Sequence, residues 1–247
     1  MAITYRSPRL DGYRMSYHDP YRELEPQEHE RAEVAGALEA LAAAGVLPQA
    51  GYEEAKLLAH RRAVRELFEV PWTAITPRME RLLYGINAIV RPRRMVAAGV
   101  FCGFTFISNA GAAVGPGACY EAAELLGVEI VRPEAERAER NVRRLDPTGV
   151  ARVLAADAIE VVQDLAGPLD LLYLDADGQG GQGKGIYLDI LEAALPRLRP
   201  GALVLAHNSE NGGEPVEPYL EFVRQGGLFR ASVNVIVDIE GLEVSVL

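Results

Sequence analysis

From Arg94 onward the chain repeats one unit: a short apolar run, then a longer stretch with helical periodicity. The runs are "RMVAAGV" (94–100), "GVEIV" (127–131), "ARVLAAD" (151–157), "LDLLYLDAD" (169–177) and "GALVLAHNS" (201–209). Between and after them come a helix from about Gly103, then "PEAERAERNVRRL", "AIEVVQDLA", "GIYLDILEAALPRL" and "VEPYLEFVRQ". Strands joined through helices run parallel, because an antiparallel pair needs only a hairpin. Parallel strands are covered on both faces, which suits the unbroken apolar character of "LDLLYL". The chain closes with "RASVNVIV", the turn "DIEG" and "LEVSVL", a hairpin. The expected fold is α/β: a mostly parallel seven-stranded sheet with helices on both faces and a terminal antiparallel hairpin.

The first 90 residues read differently. Residues 1–22 are polar and irregular, broken by Pro8 and Pro20. They are expected to form an arm that wraps the body or a partner subunit, which leaves a homodimer through the arm open. Helical periodicity then runs from Glu23 to Ala44 and from Tyr52 to Phe68. Thr76-Pro77 is an N-cap followed by proline at the first helical position, opening a third helix that carries Met79, Leu82, Leu83, Ile86 and Ile89. Residues 1–90 are therefore taken as an arm and helical cap, and 91–247 as the sheet domain.

Charge and cysteine usage exclude whole classes. The 247-residue chain carries a net charge of −10, which argues against a nucleic-acid partner. Arginines cluster at Arg91, Arg93 and Arg94 and from Arg137 to Arg144; the second group is interleaved with Glu134, Glu136 and Glu139 and reads as a solvated helix face. No apolar run approaches the ~18 residues of a membrane span, and the charged N-terminus does not resemble a signal peptide. Two cysteines, Cys102 and Cys119, without partners at metal-ligand spacing, suit a reducing, cytoplasmic setting.

In open α/β sheets ligands bind beyond the carboxyl ends of the strands. Those ends are Gly99–Gly103, Glu129, Asp157, Asp175 and His207–Asn208. Three are acidic, which suits a ligand with hydroxyls and a positive charge better than a polyphosphate. A competing signal is "GQGGQGK" (178–184), which fits the first seven positions of a phosphate-binding loop. The eighth position, where that loop needs Ser or Thr, is Gly185. With five glycines in eight residues, the loop is read as a lid on the acceptor side, not a triphosphate site.

Taken in order, the motifs resemble the class I S-adenosylmethionine (SAM)-dependent methyltransferases, a Rossmann-like fold. The nearest variant is the catechol and caffeoyl-CoA O-methyltransferase family. "AAGVFCGFT" (97–105) is similar to its "EIG-x-x-x-GYS", "VEIVRPEAERAERN" to "VEIDPERAELAREN", "LDLLYLDAD" to "FDLVFIDAD", and "LPRLRPGALVLAHNS" to "LPLLRPGGLLVADNV". The resemblance covers residues 75 to 247. It implies that Gly99, Phe101 and Gly103 wrap the cofactor and that Thr105 meets its carboxylate. Glu129 would hold the ribose hydroxyls, Asp157 and Ala158 the adenine edge, and Asp175 the amino or sulfonium end. A small-molecule acceptor would be methylated on O or N, with His207 or Lys184 as base, Tyr187 lining the pocket, and the N-terminal helices enclosing it. Trp72, Tyr84 and Tyr52 are aromatic wall candidates for which core packing is the first expectation.

This chain departs from the family pattern in places. Ala98 replaces an acidic residue before the first glycine, and about six extra residues lie between Gly103 and Glu129. Metal-dependent members use an Asp from the "DAD" motif and an Asp-Asn pair; here the set would be Asp175, His207 and Asn208. The histidine makes a hard-oxygen Mg²⁺ site incomplete, so no divalent metal is expected. Two other readings stay open: attack at another carbon of SAM, giving aminocarboxypropyl transfer or cyclisation with release of methylthioadenosine, and a non-catalytic SAM-binding protein.

Overall fold

The structure, a computed structural model, describes residues 3–73 and 75–247; Met1, Ala2 and Ala74 lie outside the described residues. The strands are β1 (Ile3–Arg6), β2 (Arg94–Ala98), β3 (Glu124–Glu129), β4 (Ala151–Ala155), β5 (Leu169–Leu174), β6 (Leu198–His207), β7 (Ala231–Ile236) and β8 (Leu242–Val246). The helices are α1 (Gln27–Ala43), α2 (Glu54–Leu67), α3 (Pro77–Val90), α4 (Phe104–Ala110), α5 (Arg132–Leu145), α6 (Ala158–Asp164), α7 (Ile186–Ala194) and α8 (Glu217–Gln225). They surround one sheet of order β1-β7-β8-β6-β5-β2-β3-β4. Only β8 runs antiparallel, against β6 and β7.

The expected α/β architecture and closing hairpin are present, but the sheet has eight strands, not seven. The extra strand is β1, in the segment read as an irregular arm. It pairs parallel with β7, Ile3 opposite Val233 and Arg6 opposite Ile236. Four residues are too few for alternation to declare a strand; the open edge of β7 makes it one. The arm is then pinned by α3. The fully buried Arg78 donates to both Glu25 carboxylate oxygens, to Ser7, and to the carbonyls of Arg9 and Val237.

Strand alternation divides the core in two. Met95, Ala97, Leu171, Tyr173, Leu203 and Leu205 face α1, α3, α4 and α5. Val96, Ala98, Leu172, Leu174, Val204 and Ala206 face α6, α7 and α8. Thr76 caps α3 as its sequence implies, accepting from the Met79 amide at 3.2 Å. The extra residues after α4 also find a purpose. A 3₁₀ turn at Gly115–Gly117 docks on α2, and the fully buried His60 ring fills the space between Gly111 and Gly117. A Cβ at either glycine would approach His60 side-chain atoms to 2.2 or 2.7 Å, so only glycine admits the ring there.

Candidate active site

The chain leaves β2 toward β3 and β4 on one side of the sheet, then returns to build β5 and β6 on the other. The crevice at this reversal opens between the loops after β2 and β5. They approach each other closely: the Asp175 amide donates to the Ala98 carbonyl at 2.9 Å, and a Cβ on Gly99 would lie 2.4 Å from the Ala176 Cα. With φ at 77° as well, Gly99 is doubly required to be glycine. A cleft of about 750 Å³ opens above these loops.

One half of the cleft is built by the loops after β2, β3 and β4. Gly99, Phe101, Thr105, Glu129, Asp157 and Ala158 all line it, as the motifs imply. Gly103 does not. Its φ of 88° sets the entry to α4, and a Cβ there would press on Ala138 at 3.2 Å, so its role is to seat α4 on α5. Glu129 has a structural task beside any ligand: its two carboxylate oxygens accept from the amides of Phe101 and Val131, each at 2.9 Å. It thereby ties the first loop to the second. Asp157 caps α6 through one oxygen, accepting from the Ile159 amide at 2.7 Å. Phe101 holds a left-handed backbone, φ 47°, rare for an aromatic residue.

The other half centres on Asp175, at the end of β5. Its Oδ1 lies 3.3 Å from both Lys184 Nζ and His207 Nδ1, and its Oδ2 is 3.5 Å from the Tyr173 hydroxyl. Burial alone would raise the Asp175 pKa; His207 and Lys184 outweigh it and hold the carboxyl below the usual range. Burial likewise opposes charge on His207, but the Asp175 carboxylate prevails and raises its pKa. His207 is fully buried and absent from the cleft wall, with Nε2 unpartnered. The expectation of His207 as a base touching the acceptor is therefore corrected: it braces Asp175 from below.

Tyr187 is corrected for the same reason. It is fully buried, edge-on to Tyr219 with ring centroids 5.8 Å apart, and does not reach the cleft. At the start of α7 its position on the inward face of an amphipathic helix overrides its nearness in sequence to the loop. Lys184 does line the cleft, though not as a phosphate-loop lysine: it turns back onto the Asp175 carbonyl at 3.2 Å and onto Asp177 at 3.4 Å. The glycine loop closes as a compact turn, with the Gly178 amide donating to the Gly183 carbonyl at 2.8 Å.

The main residue that sequence reading misplaced is Trp72. It stands 42% exposed at the cleft, its ring 4.6 Å from that of Phe101, instead of in the core. The signal was its position in the proline-flanked break "VPWTAITP". The arm holds this segment, since the Thr73 amide donates to the Tyr17 carbonyl at 3.0 Å. Tyr84 is buried in the core and Tyr52 packs half-buried against it, away from the cleft; their hydroxyls meet the Gly117 carbonyl and Arg81. Ile130, Ile186 and Ile190 add apolar wall.

The residues present fit SAM in their chemistry. A side-chain-free approach at Gly99, carboxylates at Glu129, Asp157 and Asp175, and apolar surface at Ile130 and Ile159 suit hydroxyls, a cationic centre and a flat ring. They do not fit a divalent metal. His207 turns its Nδ1 to Asp175 and is buried off the cleft wall, so of the three expected ligands only Asp175 and Asn208 face the cleft, and the Asp175 Oδ1 already meets Lys184. Among the described residues no group of three or more His, Cys, Asp or Glu is placed to hold a metal. Nor is any described helix long and apolar enough to cross a membrane.

Residues 96–209 match the family model described as a methyltransferase domain. A catechol O-methyltransferase of Niastella koreensis is 26% identical over 171 residues, 68% of this chain and 72% of that protein. Two solved structures share the fold. An O-methyltransferase from Bacillus cereus in complex with SAH aligns with TM-score 0.57 and 18% identity, covering 79% of this chain and 91% of that one. A putative caffeoyl-CoA O-methyltransferase from Staphylococcus aureus aligns with TM-score 0.56 and 16% identity, covering 77% and 90%.

Proposed function

We infer that this chain is a class I SAM-dependent methyltransferase of the catechol and caffeoyl-CoA O-methyltransferase kind, an enzyme that methylates an oxygen of a small molecule. The observation that carries the reading is the cleft at the strand reversal, with a side-chain-free loop at Gly99 on one wall and Glu129, Asp157 and Asp175 along it. SAM supplies an activated methyl group when bound. The chain's part is to position and to exclude water.

Glu129 offers its remaining lone pairs to ribose hydroxyls while its amide bonds keep the carboxylate fixed. Asp157 and Ala158, with Ile130 and Ile159, border the base. Thr105 is placed for the cofactor carboxylate and Asp175 for its cationic end. On the acceptor side, Trp72, Ile186 and Ile190 form the wall and Lys184 presents the one ammonium. Of the described residues in 1–90 only Trp72 and Thr73 reach the cleft, and β1 joins the sheet, so the expected cap of N-terminal helices over a SAM-binding domain at 91–247 narrows to the segment around Trp72. Within this reading the acceptor is the partner and the compartment is the cytoplasm, where the free thiols Cys102 and Cys119 stay reduced. A homodimer through the arm belongs to it too, checked by sedimentation of the full chain against one lacking residues 1–8.

The test is product analysis. Incubation with SAM and a panel of phenols, enols and amines, followed by mass spectrometry, should yield S-adenosylhomocysteine and an O-methylated product. Methylthioadenosine instead would move the reading to attack on the aminocarboxypropyl chain. SAM binding without turnover across the panel would favour a non-catalytic role.

A further inference from the structure

Resting on the methyl-transfer reading above, we propose that the Lys184 ammonium is the built-in cation of the acceptor site, holding the acceptor as a single oxyanion where a divalent ion would otherwise stand. Lys184 leaves the glycine loop and bends back to the floor of the cleft, where it is only 13% exposed. Three oxygens surround Nζ: the Asp175 carbonyl at 3.2 Å, Asp175 Oδ1 at 3.3 Å and Asp177 Oδ1 at 3.4 Å. A cation among carboxylate and carbonyl oxygens is the arrangement a hard metal ion seeks. Here side chains supply it, Lys184 and His207 both on the Asp175 Oδ1, and a metal cation added at that oxygen meets like-charge repulsion.

The surrounding groups fit this role. Asp175 Oδ1 is shared between Lys184 and the buried His207, so the carboxylate cannot swing away from the ammonium without stranding the imidazole. Asp177 is different: it is 72% exposed and meets Lys184 from the mouth of the cleft. An ammonium has three N–H donors. Two are committed to Asp175, and the third rests on the exposed carboxylate. An incoming acceptor oxygen takes the place of Asp177, and one donor serves one oxygen.

The substrate class follows from that count. The acceptor needs one acidic hydroxyl, a phenol or enol, and no adjacent second oxygen to chelate. Beside the ammonium the hydroxyl ionises more readily, and its proton passes to bulk water through the open mouth. The oxyanion then attacks the methyl carbon; the new C–O bond forms as the C–S bond breaks, and the electron pair of that bond stays on sulfur. The cofactor loses its positive charge as the acceptor loses its negative one, and Lys184 remains an ammonium throughout.

The experiment is a manganese titration followed by electron paramagnetic resonance, on the full chain with and without S-adenosylhomocysteine. Cofactor binding is read in parallel from the fluorescence of Trp72, the single tryptophan. Wild type should show no saturable Mn²⁺ site, Lys184→Ala should gain one, and adding Asp175→Asn should remove it. Lys184→Arg should stay like wild type, and circular dichroism establishes that each variant is folded. A wild-type Mn²⁺ site that Asp175→Asn abolishes would overturn the proposal, and so would a folded Lys184→Ala variant without a site. In the second arm, 4-nitrophenol bound to the homocysteine complex should ionise about tenfold or more readily than in water, and Lys184→Met should erase the difference. No difference in wild type counts against the proposal. If Trp72 emission responds to neither SAM nor its product, the methyl-transfer reading fails, while the manganese titration of the free protein still judges Lys184.

Discussion

The two halves of the cleft are built by different means. On the cofactor side, side chains are held by the backbone of their own and adjacent loops: Glu129 by the amides of Phe101 and Val131, Asp157 by that of Ile159, Gly99 by the chain at Ala176. On the acceptor side they are held by other side chains: Asp175 by His207 and Lys184, Trp72 by its ring contact with Phe101. The first kind of site is a property of loop geometry and leaves a motif. The second is a property of packing, free to change its residues as long as charge and volume balance. An enzyme that keeps one cofactor and varies its acceptor needs that division.

The largest effect should come from Gly99→Ala. The new methyl meets backbone, which cannot yield as a side-chain tip would, and the backbone angle is already left-handed. A loss of about 3 kcal/mol of stability or more is expected, with SAM binding abolished, checked by denaturant unfolding and calorimetry. A variant of near-wild-type stability would show that the cofactor wall is as plastic as the acceptor wall.

Two buried histidines sharpen the contrast through pH. Burial drives the His60 pKa from 6.5 down to about 3. Between those values the unfolded chain binds the extra proton, so this contribution is complete above pH 6.5 and is lost as pH falls toward 3. Its slope is at most about 1.4 kcal/mol per pH unit. His207 has the opposite sign: its folded pKa is raised above 6.5, so its contribution is complete below that and lost as pH rises through the folded value. Melting temperatures across pH should therefore show an acid slope that His60→Leu flattens and an alkaline slope that His207→Leu flattens. The same slopes in wild type and variants would refute the assignment.

His207→Leu should also lower kcat roughly tenfold, about 1.4 kcal/mol, while leaving SAM affinity within a factor of two or so. That split in steady-state kinetics would localise its effect to the acceptor side; an equal loss in SAM affinity would join the halves. The smallest effect belongs to exhaustive chelation, which should leave turnover unchanged because Lys184 occupies the oxygens a metal would use. Activity lost with chelator and restored by Mg²⁺ would reverse that.

What the sequence disclosed follows the same division. The alternation after Arg94 specifies the sheet, and residues at strand ends fall where a parallel sheet must put them; Glu129, Asp157 and Asp175 reach the cleft for that reason. Strand β1 is invisible because pairing with β7, not pattern, creates it. Tyr187 and His207 are named by proximity along the chain, yet helix and strand phase turn both away from the cleft. Trp72 carries no motif because its position depends on the arm at Tyr17 and on Phe101, which lie far from it in sequence.

The central claim is that this cleft binds SAM through its cofactor-side wall. The most direct measurement is calorimetric titration of SAM into wild type and Glu129→Ala, with ATP as competitor. The account predicts one saturable SAM site, no competition by ATP, and a weakening of about 1–3 kcal/mol in the variant as charge-assisted hydrogen bonds are lost. Tight ATP binding without SAM binding, or a Glu129→Ala variant with unchanged SAM affinity, would contradict it.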